Sequence, residues 1–399
     1  MSGTRRKPGR MGPYVDGFGA RLAELGYTPG TVRNVLKVAG QLGRWMAGEG
    51  VEVRQLDKAA IEAFARTCRA RGARRVPSVR SFEPLLDYLR DEGVAMRATA
   101  PPTPVEGFMG HYRTWLVVDR GLAAPTVLRY ENLARRFLEE RAAVAGSRFI
   151  EGLTGADVIA FLLQESARVS VGAAKGRVAE LRSLLRFLYL KGFTPVALAA
   201  AVPPVAGWRD TGVPKGLASA DVQRLLDSCD RAEAGGVRDF AILMLVARLG
   251  LRSIEVARLE LGDIDWRAGE IGVRGKARRQ DRLPLPCDVG EALTAYLCDA
   301  RPSTPIRQVF LACKAPRRAI RADLVSDVTR RACERAGLAP VGAHRLRHAL
   351  ATEMLRRGAT LVEVSKVLRH RDLATTLIYA KVDVTTLRRV AQPWPGAER

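Results

Sequence analysis

Apolar side chains recur along most of the chain at steps of three and four residues. The run Val32, Val35, Ala39, Leu42 and Met46 is one example, with polar or charged residues at half of the positions between its members. This spacing places the apolar side chains on one stripe of a helix, which packs against a neighbour. The pattern therefore predicts a mainly α-helical protein.

The first half of the chain contains the same helical pattern twice. Residues 14–95 and 107–194 align with an offset of 95 near Gly26, and the offset grows to 99 near Gly93. We interpret the two segments as copies of one unit, each a bundle of about four helices. A coincidental match between helices rich in leucine and alanine is the alternative.

Proline-rich stretches separate these segments from each other and from the second half. They lie at 101–104 and 202–214, and proline disfavours helix and stiffens a connector. The expected organisation is an N-terminal helical module in 1–100, a second module in 105–200, a linker in 201–214 and a third domain in 215–399.

The apolar pattern changes in the third domain. A strongly apolar helix is predicted for Asp239–Leu249, and a second helix begins after Arg252. Two strand-like runs, 270–273 and 282–285, are joined by a polar turn that contains Lys276. We expect a mostly helical domain with a small β-hairpin. Ser219 is a plausible cap for its first helix.

The charge of the chain indicates a polyanionic partner. It has 65 Lys and Arg against 42 Asp and Glu, which gives a net charge of +23. The excess is +8 in 1–100, +4 in 101–214 and +11 in 215–399, so it is not confined to a tail. Nucleic acid is the expected partner, and solubility alone is the weaker explanation of the charge.

Basic residues on both repeats and in the hairpin turn are candidate DNA contacts. Each of them alone is also typical of a solvated surface. They are Arg33, Lys37, Arg129, Arg135, Arg136, Arg278 and Arg279.

The remaining composition favours a cytoplasmic protein without a metal. The six cysteines show no CxxC spacing and the chain has four histidines, so we expect reduced thiols and no zinc site. The basic stretch 1–10 is followed by polar residues, not by the apolar core of a signal peptide, and 240–247 is too short to span a bilayer. Without a Walker A box or an acidic metal cluster, we expect no cofactor.

Three of the four histidines stand close to two chemically suitable partners. His344, Arg347, His348, His370 and Tyr379 fall within 36 residues. A guanidinium matches two phosphate oxygens, an imidazole moves a proton near neutral pH, and a phenol can attack phosphorus. The set suggests phosphoryl transfer through a covalent phosphotyrosine. Upstream, Arg252 is predicted at a helix N-terminus, where Glu255 can orient it.

These motifs, in this order, resemble the tyrosine recombinase (phage integrase) family over about residues 215–390. Gly250 to Glu255 resembles the box of the first catalytic arginine, and Val273 to Lys276 resembles the lysine hairpin. His344 to His348 is similar to the HxxR box, and 368–379 to the closing box. The repeat 107–194 resembles the core-binding domain of the family, and the first repeat an additional DNA-binding module.

The resemblance implies a role for each residue. Arg252 and Arg347 would hold the scissile phosphate, and His344 and His370 would position it and manage the proton of Tyr379. Lys276 would protonate the departing 5′ oxygen while Tyr379 forms a 3′-phosphotyrosyl link. For His348, we expect a supporting or core-packing role.

One position departs from the family pattern, and one segment has two interpretations. Arg369 stands where the family usually has glycine, which would alter the local backbone or add a phosphate contact. The apolar residues of the tail, Val382, Val384, Leu387 and Val390, would pack either on their own domain or on a neighbouring protomer.

The expected function is site-specific recombination of double-stranded DNA by a homo-oligomer, a tetramer in the synapse, with related recombinases or accessory factors as further possible partners. A type IB topoisomerase and a non-catalytic DNA-binding regulator are the alternatives. The duplicated N-terminal half argues against the first, and the complete set of six catalytic candidates argues against the second.

Overall fold

The computed structural model describes residues 9–73, 78–94, 104–205, 216–275, 280–370 and 376–382. Two compact units are present: Arg97–Arg209 forms one, and Met1–Met96 with Asp210–Arg399 forms the other. Both are built mainly from α-helices, and the second also contains a small antiparallel sheet, as the sequence predicts. The domain boundaries expected from the sequence stay a prediction.

The N-terminal part of the larger unit is a four-helix arrangement around its own apolar core. Phe18, Leu42, Ile61 and Leu89 are buried together in this core. The turn before the second helix follows the sequence signal, because the Thr28 hydroxyl accepts a hydrogen bond from the Thr31 backbone N–H at 3.3 Å. The helices are α1 (Val15–Glu24), α2 (Pro29–Gly48), α3 (Lys58–Ala70) and α4 (Glu83–Asp91).

The unit Arg97–Arg209 repeats this order of helices. Its core contains Phe108, Phe137, Phe161 and Phe187, which contact one another through edge-to-face rings in two pairs. Its helices are α5 (Pro104–Thr114), α6 (Ala124–Ala145), α7 (Gly155–Ala167) and α8 (Val171–Leu190). Both ends of α7 lie 97 positions after those of α3, which is the offset found in the sequence for this part of the repeat.

The C-terminal part of the larger unit surrounds one largely apolar helix. Ile242, Leu243, Leu245 and Val246 of this helix are completely buried. The helices are α9 (Ser219–Asp227), α10 (Ala234–Leu249), α11 (Ser253–Arg258), α12 (Cys287–Ala295), α13 (Ala322–Arg335), α14 (His344–Arg356) and α15 (Leu361–Val367). The prediction for Ser219 is wrong: it is the first helical residue, and its hydroxyl donates to Glu353 at 2.9 Å instead of capping α9.

A three-stranded antiparallel sheet lies beside this core. Its strands are β1 (Ile264–Asp265), β2 (Glu270–Arg274) and β3 (Gln280–Pro284), in the order β1-β2-β3. Ile271 pairs with Leu283, and Arg274 pairs with Gln280 next to the turn of the hairpin. The predicted hairpin is therefore present. Its turn, with Lys276, Arg278 and Arg279, lies outside the described residues.

The last described segments form a second, smaller core. Ala351, Leu355, Val364, Leu368 and Tyr379 are buried together, and Tyr379 lies in the 3-10 turn Leu377–Val382. The tail residues after Val382 lie outside the described residues. Across the described ranges, no helix is both long enough and apolar enough to cross a membrane.

Candidate active site

The loop between α10 and α11 presents Arg252 because α10 ends in a left-handed glycine. Gly250 has φ +59°, and a Cβ at this position would lie 2.8 Å from a methyl carbon of Leu368. Glycine therefore meets both the backbone conformation and the close packing. Arg252 follows as the N-cap of α11, where its side chain stays partly exposed.

Arg347 fixes this loop to the end of α15. Its side chain is only 2% exposed, and it donates to the backbone carbonyls of Gly250 and Leu368. Burial, together with the positive charges of Arg252 and Arg369, lowers the pKa of Arg347 to about 9. This pKa is still above neutrality, so the guanidinium stays charged.

The buried carboxylate of Glu255 joins two further arginines. It accepts hydrogen bonds from the Arg252 backbone N–H at 2.8 Å, from Arg252 Nη1 at 2.7 Å and from Arg369 Nη2 at 2.7 Å. Burial alone would raise the pKa of Glu255, but Arg369 and the hydrogen bonds from Arg252 outweigh it and lower the pKa. Glu255 is therefore ionised, and it orients Arg252 as the sequence predicts.

Arg369 combines an unusual backbone with a buried ion pair. It has φ +53°, the left-handed conformation that glycine adopts at low cost, and its side chain is almost fully buried against Glu255. Its backbone carbonyl also accepts from Arg252 Nη2 at 3.2 Å. Arg369 thus contacts Arg252 directly and through Glu255, which explains how an arginine is accommodated at this position.

The arginines leave the site with excess positive charge. Arg252, Arg347 and Arg369 lie close enough to influence one another. Within the described residues, their hydrogen bonds reach one carboxylate, Glu255, which pairs with Arg252 and Arg369. Each guanidinium has five N–H donors, so donors remain for a further acceptor. The arrangement suits an anion with several oxygens, such as a phosphate.

The three histidines are neutral at pH 7 and occupy different places around the arginines. Burial, followed by Arg347 and Arg252, lowers the pKa of His370 to about 4, and its Nδ1 lies 2.7 Å from Thr376 Oγ1. Partial burial and the same two arginines also lower the pKa of His344. The His344 ring packs edge-on against His348, with 4.3 Å between ring centres.

Tyr379 and His348 form a direct contact that sequence reasoning did not anticipate. Tyr379 is 1% exposed, and its hydroxyl lies 2.7 Å from His348 Nδ1. Burial raises the pKa of the Tyr379 phenol, and Arg347 opposes this rise. His348 was expected to have a supporting or packing role. The four-residue spacing between His344 and His348 gave no signal of the contact, because Tyr379 is 31 residues away from His348.

Of the candidate DNA contacts in the first half of the chain, those on α2 are exposed and those on α6 form ion pairs. Arg33 and Lys37 are exposed one turn apart on α2. Three arginines of α6 form ion pairs within their own unit: Arg129 with Glu180, Arg135 with Glu106 and Arg136 with Glu165. Their remaining N–H groups can still contact phosphates.

The described residues contain no cluster of three or more His, Cys, Asp or Glu side chains arranged to hold a metal ion. Lys276, Arg278 and Arg279 lie outside those residues, so Arg252, His344, Arg347, His370 and Tyr379 are the catalytic candidates whose surroundings are known.

Comparison with known proteins agrees with this geometry. Residues 215–385 match the Phage integrase family model. A putative integrase/recombinase, y4rA of Sinorhizobium fredii, is 38% identical over 98% of this chain and 97% of its own length.

The chain belongs to the phage integrase family of tyrosine recombinases. It is a site-specific DNA recombinase, an enzyme that breaks and rejoins DNA strands, and this expectation from the sequence is confirmed. The tyrosine recombinase XerD of Mycobacterium tuberculosis (strain ATCC 25618 / H37Rv) is 33% identical over 73% of this chain and 96% of its own.

Solved recombinase structures share the fold of this tyrosine recombinase. XerH bound to palindromic difH in a post-cleavage complex has a TM-score of 0.54 and 17% identity, over 97% of this chain and 96% of that one. A lambda integrase tetramer bound to a Holliday junction has a TM-score of 0.53 and 15% identity, over 82% and 90%.

Two substitutions of Arg369 should separate the effect of backbone strain on stability from the effect of the ion pair with Glu255. Arg369→Gly and Arg369→Ala both remove the contact with Glu255, but only glycine relieves the positive φ. We expect both variants to be destabilised in urea unfolding, with alanine less stable than glycine by about 1 kcal/mol. Arg357→Ala, which breaks an exposed pair with Glu353, is the control and should change little. Equal stability of the two Arg369 variants would argue against strain.

Stability should fall as the pH is lowered from about 6.5 towards 4. His348 and His370 have pKa values of about 4 in the folded chain, against an ordinary value of 6.5. In this window the unfolded chain binds more protons, which favours unfolding, and above it both states are neutral. Urea midpoints measured across this range should show a shallower decline for the double variant His348→Gln/His370→Gln. The same slope in both proteins would exclude these histidines as its cause.

Proposed function

We propose that Tyr379 cuts one DNA strand by attacking the scissile phosphorus, leaving a 3′-phosphotyrosyl link and a free 5′ hydroxyl. The observation that supports this most is the excess of positive charge around Glu255, next to a buried phenol. A phosphate diester supplies the missing negative charge and the oxygens that the free N–H groups of Arg252 and Arg347 can bind. Their positive charges also stabilise the transition state.

The remaining site residues have roles around this phosphate. His344 and His370, neutral and adjacent to the arginines, donate hydrogen bonds to its oxygens. Lys276, at the turn of the β2–β3 hairpin, protonates the departing 5′ oxygen. Because the 3′-phosphotyrosyl link is itself a phosphodiester and conserves the energy of the broken bond, attack by a new 5′ hydroxyl rejoins the strand without ATP.

The partner is double-stranded DNA, and strand exchange requires an assembly of protomers. The net charge of +23 favours a polyanion, and two similar structures are a lambda integrase dimer and a tetramer bound to DNA. We infer that the protein forms a tetramer at the synapse and acts in the cytoplasm. In this tetramer, the tail after Val382 packs on its own domain or on a neighbouring protomer. Related recombinases or accessory factors would complete the set of partners.

The two helical modules extend the contact with DNA. Arg33 and Lys37 on α2, and the arginines of α6, contact phosphates of the bound DNA, which adds affinity through effective concentration. Arg278 and Arg279 add contacts next to Lys276. Footprinting on DNA that flanks the gene of this recombinase would locate the site, since mobile-element recombinases act on nearby ends.

A nicked suicide substrate should trap the covalent intermediate. Cleavage close to the nick releases a short fragment that carries the free 5′ hydroxyl, so religation fails. A protein–DNA adduct then accumulates and is detected on denaturing gels. Tyr379→Phe should form no adduct, whereas Tyr189→Phe, which changes an exposed tyrosine of α8, should form as much as the wild type. An adduct with Tyr379→Phe would identify a different nucleophile.

Removal of two charges from α2 should weaken DNA binding uniformly across sequences. Each phosphate contact adds about one unit to the slope of log affinity against log salt. Arg33→Ala/Lys37→Ala should therefore lower that slope by about two in a filter-binding titration. Lys58→Ala, an exposed lysine of α3 paired with Glu62, is the matched control. An unchanged slope in the double variant would assign α2 to protein contacts.

A further inference from the structure

The nucleophilic oxygen has one imidazole in direct contact. The 2.7 Å separation of Tyr379 Oη and His348 Nδ1 is a normal hydrogen-bond distance, and the phenol is buried within the small core around Leu368. A general base has to lie within hydrogen-bond reach of the proton that it removes. His348 satisfies this condition before any DNA is bound.

The other histidines are engaged differently. His370 uses its Nδ1 for Thr376 Oγ1, at 2.7 Å. His344 lies one turn before His348 on α14, and its ring packs edge-on against that of His348. Among the described residues, His370 thus contacts Thr376, His348 contacts Tyr379, and His344 packs against His348.

The protonation state of His348 allows it to accept the proton. Burial, followed by His344, Arg345 and Arg347, lowers its pKa to about 4, so the ring is neutral at pH 7. With the phenol as donor, Nδ1 holds the lone pair and Nε2 carries the hydrogen. A phosphate bound by Arg252 and Arg347 would offset the cations that lower this pKa, and so would make His348 a stronger base when DNA is in place.

We propose that His348 is the catalytic base that takes the phenolic proton of Tyr379 as its oxygen attacks the scissile phosphorus. The Tyr379 Oη–P bond forms, the P–O5′ bond breaks, and the proton moves to His348 Nδ1 to give an imidazolium. The departing 5′ oxygen receives its proton from the acid, Lys276. In rejoining, the 5′ hydroxyl returns its proton to Lys276 as its oxygen forms a bond with the phosphorus. The P–Oη bond to Tyr379 breaks, and His348 returns the phenolic proton. This assignment rests on the proposed role of Tyr379 as nucleophile.

The variant His348→Asn tests whether His348 takes up a proton, because it can keep the hydrogen bond with Tyr379. The Asn carbonyl oxygen can accept a hydrogen bond near the position of Nδ1, but it cannot take up a proton at neutral pH. In single-turnover cleavage of a nicked suicide substrate, we expect the rate to fall by about a hundredfold to ten-thousandfold with DNA affinity unchanged. His348→Gln is a second variant, should Asn fail to fold as judged by urea unfolding.

A more acidic phenol should rescue the loss of a base. Fluorotyrosine incorporated at position 379 of His348→Asn should restore cleavage by about tenfold or more, because less proton removal is then required, and it should have little effect on the wild type. The defect of His344→Asn should not respond. A wild-type rate in both His348 variants, a slow variant without rescue, or rescue of His344→Asn would each overturn the proposal.

The leaving group distinguishes the base from the acid. A substrate with sulfur in place of the bridging 5′ oxygen needs no protonation on departure, so it should rescue Lys276→Ala and leave His348→Asn slow. Rescue of His348→Asn by this substrate would assign His348 to the leaving group and overturn the proposal. If the wild type itself forms no adduct through Tyr379, the proposed function fails. If the adduct forms at the same rate without His348, only the assignment of His348 as the base fails.

Discussion

The geometry of the site depends on the buried carboxylate of Glu255. It accepts from the side chains of Arg252 and Arg369 at 2.7 Å each, and from the backbone at the start of α11. A buried charge of this kind is stable only when it is paired, so Glu255 determines where both guanidiniums lie. The loop with Arg252 and the end of α15 with Arg369 are therefore held at a fixed distance from each other.

Arg347 connects the same two segments from the other side, through the carbonyls of Gly250 and Leu368. It lies on α14 between Leu346, which packs in the main core, and Ala351 and Leu355, which pack in the small core with Tyr379. The arginine proposed to bind phosphate is thus anchored where the two cores meet. Packing in either core affects its position, which links it to the core that contains Tyr379.

Much of this was predictable from the sequence, because local signals determine it: the repeat of helices, the β-hairpin, and Glu255 one turn after Arg252. The contacts that were not predicted join residues far apart in the chain. His348 meets Tyr379 across 31 residues, and Arg129 and Arg136 meet Glu180 and Glu165 on other helices. Arg369 was visible as an unusual residue, but its positive φ depends on the end of α15 and not on its own preference.

The charges explain why such a reactive arrangement is stable without substrate. Burial, followed by nearby charges that include Arg347, keeps His348 neutral and weakly basic, while burial keeps the phenol of Tyr379 protonated. On the proposed mechanism, His348 therefore stays a weak base until a phosphate is bound, and Tyr379 stays protonated because it is buried. A bound phosphate would raise the basicity of the His348 imidazole through its negative charge, and it would supply the electrophile for Tyr379. Binding of the phosphate and activation of the proposed nucleophile are therefore electrostatically coupled.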